Sequence, residues 1–225
     1  MNGTKSLFLK LKNLLPDYAV IPIASMLILN AVVFWGTRLI TDKMTHYDLS
    51  GVMDYHIPFI PVFIIPYVLA FVQWIVGYLV IARQGKEYCD KVMGGEMIAK
   101  LIAGIIFIAF PTTMLRGEVT GSDVFSQAVA LLYKVDAPTN LFPSIHCLES
   151  YICMKSALEM KDVYRRYRIS MVIMSILVFM STVFIKQHVI LDFFGAVIVA
   201  EAGRLIMEFL HANRCVIVEK RGKMI

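Results

Sequence analysis

Two short motifs in the second half of the chain combine histidine with residues that suit phosphate chemistry. Phe142-Pro143-Ser144-Ile145-His146 places a serine two residues before a histidine, and Asp192 follows His188 after four residues. This spacing puts His188 and Asp192 on one face of a helix, where the carboxylate can fix the imidazole tautomer and make the other ring nitrogen a better nucleophile. The two motifs predict nucleophilic or acid–base chemistry.

The serine motif also predicts the start of a helix. Pro143 suits that position, Ser144 is a preferred N-cap residue, and free N–H groups at a helix N-terminus attract phosphate. His146 would then project from the first turn toward a bound anion. Arg116 is a third candidate, because a guanidinium group binds phosphate oxygens in a bidentate fork. Alone, each element also has an ordinary structural explanation, namely an ion pair, a capped helix and an arginine reaching lipid headgroups. Together they indicate one site.

The apolar composition predicts a membrane protein that holds these residues at helix ends. Hydrophobic residues make up 58% of the chain and charged residues 17%, and the apolar residues are clustered. Six stretches are predicted to span a bilayer, which needs about 20 helical residues: 19–39, 59–81, 97–114, 144–158, 169–185 and 189–207. We therefore expect an all-α, polytopic membrane protein with six transmembrane helices in one bundle, formed by a single domain over residues 1–225.

The lysine and arginine residues predict the orientation of this bundle. With six spans both termini share one side, which collects fourteen of these cations: Lys5, Lys10, Lys12, Arg83, Lys86, Lys91, Lys161, Arg165, Arg166, Arg168, Arg214, Lys220, Arg221 and Lys223. The opposite loops hold four: Lys43, Arg116, Lys134 and Lys186. The positive-inside rule then places both termini in the cytoplasm and the histidine motifs outside. The absence of extra domains favours a bacterial cell membrane, and the net charge of +5 is explained by topology, with no indication of nucleic acid binding.

Three smaller features complete the expected layout. Residues 1–17 mix lysines with leucines and predict a short amphipathic segment at the inner interface. The longest outer connection, about residues 115–142, is expected to be a loop with several turn residues that leads into the Ser144 motif. Glu96 and Lys100 have ordinary four-residue helix spacing, and Lys100 is expected near a helix end.

The motifs resemble the signatures of the type 2 phosphatidic acid phosphatase superfamily, which includes lipid phosphate phosphatases and the sphingomyelin and inositol phosphorylceramide synthases. Its pattern is Lys-x6-Arg-Pro, then Pro-Ser-Gly-His, then Ser-Arg-x5-His-x3-Asp. Arg116 matches the first motif. The matches to the other two are Pro143, Ser144, His146, Ser181, His188 and Asp192. The resemblance covers about residues 110–200, and six spans are also typical of the family.

The resemblance implies a mechanism and a set of roles. His188 would be the nucleophile that attacks phosphorus, Asp192 would orient it, and His146 would protonate the leaving alkoxide. Arg116 and Ser144 would bind the phosphoryl oxygens. A phosphohistidine would form and pass to water or to a lipid alcohol acceptor, with no metal or cofactor. The implied substrate is a phospholipid or lipid phosphate in the bilayer.

The departures from the pattern carry a further hypothesis. The lysine of the first motif falls on Ala109 and its proline on Gly117, while Ile145 and Thr182 replace the glycine and arginine of the other two. Two cationic phosphate ligands are therefore missing. Because fewer cations disfavour a phosphomonoester dianion more than a diester monoanion, we expect a bias toward diesters and headgroup transfer.

Three hypotheses from other functional classes stay open. A transporter or channel for ions or protons would place polar residues near mid-membrane, where Asn30 and Glu149 are the candidates. A metal hydrolase would use His146, His188 and Asp192 as three ligands, although their spacing is not a zinc signature. A scaffold would retain the fold without activity.

Overall fold

The protein is mostly helical. A computed structural model describes residues 15–222, with side chains described up to residue 213. The helices are α1 (Asp17–Thr41), α2 (Val52–His56), α3 (Pro61–Ala82), α4 (Lys86–Ala109), α5 (Val124–Val135), α6 (Ile145–Glu159), α7 (Arg165–Phe184) and α8 (Ile190–Gly222). A π-helical turn, Val32–Gly36, interrupts α1. Two short strands, β1 (Tyr47–Asp48) and β2 (Thr112–Thr113), pair in parallel.

Four helices are long and apolar enough to cross a membrane, namely α1, α3, α4 and α7. The other two predicted spans are also helical but differ in length or charge. Helix α6 has 15 residues, fewer than the roughly 20 that a bilayer core requires. Helix α8 carries Asp192, Glu201 and Arg204 along its apolar part. The first fourteen residues of the predicted interfacial segment 1–17 lie outside the described part of the chain.

Helix α4 corrects the predicted third span. The prediction placed it at residues 97–114, whereas the helix runs from Lys86 to Ala109. It ends there because Pro111 has no amide hydrogen to continue the helix, and the chain turns into β2. As a consequence Lys100 lies in the middle of α4, fully buried, and the expectation that it lies near a helix end was wrong.

Helix α5 corrects the predicted loop at residues 115–142. Asp123 caps it, accepting hydrogen bonds from the amides of Phe125 and Ser126. The helix is amphipathic: Val129 is buried, whereas Leu131 is mostly exposed. Turn residues on both sides of this segment obscured a helix of only twelve residues.

Helix α8 packs most extensively on α4, and glycines allow the close approach. A Cβ atom on Gly203 would overlap the backbone oxygen of Gly95 and would lie 2.8 Å from the amide nitrogen of Ala99. Helix α8 also packs on α6, which contacts α7, while α1 packs on α4 and α3 packs on α7. This arrangement brings the start of α6 and the start of α8 together at one end of the bundle, which we call the histidine end.

Candidate active site

His188 and Asp192 form a hydrogen bond, but the prediction that both lie on one face of a helix was wrong, because α8 begins at Ile190 and His188 precedes it. The Nδ1 atom of His188 lies 3.0 Å from Oδ2 of Asp192, and the Val189 amide donates to the same oxygen at 3.1 Å. The Asp192 side chain is fully buried, and the His188 side chain is 11% exposed. With Nδ1 held by the carboxylate, Nε2 is the ring nitrogen left to meet a substrate.

The backbone before α8 is fixed by contacts from distant parts of the chain. The amides of Gln187 and His188 both donate to the carbonyl oxygen of Thr182 at 2.9 Å. Oδ1 of Asp54, from α2, accepts a 2.8 Å hydrogen bond from the amide of Ile190, the first residue of α8. A carboxylate at a helix N-terminus satisfies a free N–H group and complements the helix dipole. The backbone is therefore fixed at His188 itself, by Thr182, and two residues later at Ile190, by Asp54.

Lys186 lies beside these residues but does not point into the site. It adopts a left-handed conformation with φ of 53°. Its Nζ donates to the carbonyl oxygens of Asp54 and Ile57 at 2.9 and 2.7 Å. Burial lowers the pKa of Lys186, and the nearby Asp54 opposes that shift. Lys186 thus ties α2 to the turn before His188.

His146 lies in the first turn of α6, as predicted. Ser144 is the N-cap, and its Oγ accepts a 3.3 Å hydrogen bond from the Cys147 amide. The His146 ring stacks on Tyr67 with 4.2 Å between the ring centroids, and Trp74 meets it edge-on at 5.0 Å. Its Nε2 atom is buried without a hydrogen-bond partner in the described part of the chain.

Both imidazoles line one small cavity. Its volume is about 30 Å³, and Asp136, Thr139 and Gln187 also line it. Four buried polar atoms of the lining have no hydrogen-bond partner among the described residues: His146 Nε2, Thr139 Oγ1, Asn140 Oδ1 and Gln187 Nε2. Buried polar atoms are normally bonded, so this group requires water or a ligand. The cavity has room for about two water molecules.

Arg116 lies next to the cavity without lining it. Its guanidinium donates to the backbone oxygens of Lys186 and Asp136 at 3.0 and 2.6 Å, and to Oε1 of Gln187 at 2.6 Å. It also lies over the Tyr133 ring, 4.7 Å from the centroid. Burial lowers its pKa, an effect that Asp136 opposes. Arg116 instead lines an open groove of about 470 Å³ beside the cavity.

The five predicted site residues therefore divide into two groups. His146 and His188 share the cavity, and Asp192 is hydrogen-bonded to His188. Ser144 is fully buried as a helix cap, and the structure does not bring it or Arg116 to the cavity wall.

Sequence reasoning missed Asp136 and Gln187 as cavity residues. Burial raises the pKa of Asp136, and Arg116, His188 and Arg38 each oppose this effect. The nearest Arg38 nitrogen lies 3.7 Å from its Oδ1. Only the position of Gln187, directly before His188, was a signal in the sequence.

Asn140 was interpreted as part of the turn that leads to Ser144 and was not predicted as a site residue. It adopts a left-handed conformation with φ of 56°, which asparagine tolerates well. Its Nδ2 donates to Thr37 and Thr41 of α1 at 3.1 and 2.9 Å. These bonds fix the segment that forms one wall of the cavity.

The metal-hydrolase hypothesis required His146, His188 and Asp192 to lie close enough together to bind one metal ion. Within the described residues no group of three histidine, cysteine, aspartate or glutamate side chains is placed to hold a metal ion. His146, His188 and Asp192 therefore do not form the three-ligand set that this hypothesis predicted.

Comparisons of the chain with protein families, curated proteins and solved structures found no match. The chemistry of the site is therefore inferred from its side chains and their geometry. Two observations carry that inference, namely the His188–Asp192 hydrogen bond and the cavity shared with His146.

Proposed function

We propose that the protein is a membrane-embedded lipid phosphatase or phosphotransferase that acts on phospholipid headgroups through a phosphohistidine on His188. The observation that carries this proposal is that His188, held by Asp192 at 3.0 Å, faces the same cavity as His146. Two imidazoles at one cavity suit phosphoryl transfer, because one can attack while the other moves the proton. The four long apolar helices and the motif resemblance support a lipid substrate.

The proposed reaction has two steps. Nε2 of His188 attacks phosphorus, the P–N bond forms, and the P–O bond to the leaving group breaks as protonated His146 donates its proton to the departing alkoxide. Asp192 accepts the hydrogen bond from Nδ1 and stabilises the positive charge on the ring. The oxygen of water or of a lipid alcohol then attacks phosphorus, and a new P–O bond forms as the P–N bond to His188 breaks. His146 takes the proton from the attacking hydroxyl, and His188 is released.

Substrate binding requires the cavity to widen, because a phosphate ester is larger than two water molecules. The adjoining groove of about 470 Å³ is large enough to receive a headgroup, and Arg116 lies in its wall. Since Arg116 is hydrogen-bonded to Gln187, which lines the cavity, it stands between the two spaces. We assign Arg116 to attracting the phosphate into the groove and to positioning Gln187.

The charges at the cavity support a preference for diesters. None of the described residues that line it is lysine or arginine. A cavity without these cations disfavours a dianionic monoester more strongly than a monoanionic diester. The proposed reaction is therefore headgroup transfer from a phosphodiester lipid to a lipid alcohol, as in sphingomyelin or inositol phosphorylceramide synthesis.

Acceptor competition tests this function. The purified protein in mixed micelles is given a labelled phosphodiester lipid with diacylglycerol or ceramide, and the products are separated by chromatography. We expect a new labelled lipid with wild type and with the control His56→Ala, whose histidine is in α2, and none with His188→Ala. Free phosphate from phosphatidic acid without any transfer product would contradict the diester preference. A folded wild type without either activity would favour a scaffold.

The proposed topology is six spans, with α6 and α8 completing the bundle, both termini in the cytoplasm of a bacterial cell and the histidine end outside. Leu115 lies near this end, Tyr164 lies at the opposite end, and both are highly exposed. A membrane-impermeant maleimide should label Leu115→Cys but not Tyr164→Cys in intact cells. The reverse pattern would overturn the orientation.

A further inference from the structure

A cluster of three charged side chains is buried between the helices, away from the cavity. Nζ of Lys100 lies 3.0 Å from Oε1 of Glu96 and 2.5 Å from Oε1 of Glu149. Each of the three side chains is at most 3% exposed. The sequence indicated an ordinary Glu96–Lys100 helix pair, but Glu149 joins that pair from α6. Ionisable side chains inside a membrane bundle are costly and usually have a function.

The charges of the cluster do not balance unless one carboxyl group carries a proton. Two carboxylates and one ammonium have a net charge of −1, and an uncompensated buried charge is strongly disfavoured. The other titratable groups facing the cluster are Tyr78 of α3 and Cys153 of α6, and neither supplies positive charge. The hydroxyl of Tyr78 donates to Oε1 of Glu96 at 2.7 Å.

Glu96 offers a specific place for the proton. Its Oε2 atom is buried and has no hydrogen-bond partner within the described residues. Oε1 of the same carboxyl group already accepts from Tyr78 and contacts Lys100. Oε2 is therefore the oxygen of Glu96 that neither contact occupies.

A pocket at the other end of the bundle leads to Glu96. It has a volume of about 60 Å³ and lies between α4, α6 and α8. Its charged rim consists of Lys91, Lys155, Glu159, Glu201, Arg204 and Glu208. These rim residues form ion pairs with one another. Among the acidic residues that line the pocket, Glu96 is fully buried and takes no part in these rim ion pairs.

We propose that the Glu96–Lys100–Glu149 cluster binds one exchangeable proton, which arrives from the end of the bundle opposite the histidines through this pocket. A hydronium ion in the pocket gives its proton to the carboxylate and leaves as water, so no other bond changes. Glu149 follows His146 by three residues, about 4.5 Å along α6. The proton site thus lies between the pocket and the candidate active site, and it does not depend on the lipid chemistry.

Infrared spectroscopy of the full-length protein in nanodiscs tests whether the proton is present. At neutral pH we expect wild type to show a carboxylic acid C=O band. This band should disappear in at least one of the variants Glu96→Gln and Glu149→Gln. The band should remain in Glu208→Gln, a rim residue paired with Arg204 and Lys91. If wild type has no such band, or if neither cluster variant changes it, the proposal is overturned.

Thermal unfolding of the same variants provides an independent check of the charge balance. Because glutamine resembles a protonated glutamate, at least one single Gln variant should unfold close to the wild-type temperature. The double variant Glu96→Gln/Glu149→Gln leaves Lys100 unpaired and should be far less stable. If both single variants and the double variant showed the same decrease in unfolding temperature, the cluster would not already hold one proton.

Hydrogen–deuterium exchange of the infrared band tests the route. Val92 lines the pocket, so Val92→Phe should narrow it and slow the deuterium shift of the carboxylic acid band several-fold relative to wild type. The control Val76→Phe changes a valine that faces another groove, between α3 and α7, and should leave the rate unchanged. An unchanged rate in Val92→Phe would show that the proton does not pass through the pocket.

Discussion

The amide of Ser144 donates a 3.2 Å hydrogen bond to the carbonyl oxygen of Asp192. Ser144 is the N-cap of α6 and Asp192 lies in the first turn of α8, so this bond joins the two motifs that are 48 residues apart in the chain. Its consequence is that His146 and His188 are positioned by one connected unit. Substitutions that disturb the unit should therefore affect both histidines.

Asp192→Asn tests the role of the carboxylate. Oδ2 of Asp192 accepts hydrogen bonds from the His188 ring and the Val189 amide, so an amide of equal size keeps the shape but loses the negative charge. We expect kcat to fall about 10²- to 10⁴-fold, by analogy with other aspartate-oriented histidines. Turnover at the wild-type rate, with an unchanged unfolding temperature, would refute an orienting role.

Gly195→Ala tests the contact that supports the Ser144 motif from α8. A Cβ atom at Gly195 would overlap the ring of Phe142, two residues before Ser144. We expect the ring to move, His146 to shift with it, and kcat to fall at least about tenfold, since small misplacements in an active site are costly. In the matched control Gly117→Ala, nothing lies within 4 Å of the new Cβ atom. Similar activity in both variants would contradict this positioning.

Asp54→Ala tests the cap that α2 provides for α8. Oδ1 of Asp54 accepts from the Ile190 amide at 2.8 Å, and losing an N-cap costs about 1 kcal/mol. We expect a lower unfolding temperature together with reduced kcat, because His188 lies two residues before that amide. The control Asp162→Ala removes an exposed carboxylate between α6 and α7, at the opposite end of the bundle. Equal effects on kcat would rule out a specific role for Asp54.

Asp136→Asn tests how the unfolding temperature depends on pH. Burial raises the pKa of Asp136 in the folded protein, so its protonated form is favoured there relative to the unfolded chain. The stability that this carboxyl contributes is complete below its unfolded pKa of about 4 and is lost as pH rises through the folded pKa. The unfolding temperature of wild type should therefore fall relative to that of Asp136→Asn as the pH rises above about 4. A difference that is constant with pH would contradict the assignment.

Local patterns in the sequence predicted a large part of this structure. The capping role of Ser144 follows from its place before a helix and is found. The four-residue spacing of His188 and Asp192 correctly indicated that they meet, although His188 precedes α8 and does not share a helix face with Asp192. The apolar stretches correctly indicated helices, four of them long enough to cross a membrane. Each of these features depends on residues close together in the chain.

Features that depend on distant contacts could not be predicted in the same way. Arg116 meets Gln187 across 71 residues, and Lys100 meets Glu149 across 49. Neither partner is indicated by spacing or composition. For the same reason the burial of Lys100 was missed, because an i,i+4 pair with Glu96 is equally common on an exposed helix face.

Trapping the phosphorylated protein tests the central claim most directly. Wild type, His188→Ala and His146→Ala are mixed with a phosphodiester lipid labelled on phosphorus, quenched, and examined for acid-labile label on the protein. We predict label on wild type, none on His188→Ala, and label that forms more slowly on His146→Ala, because the nucleophile is intact whereas departure of the alkoxide is impaired. Undiminished label on His188→Ala would show that His188 is not the nucleophile.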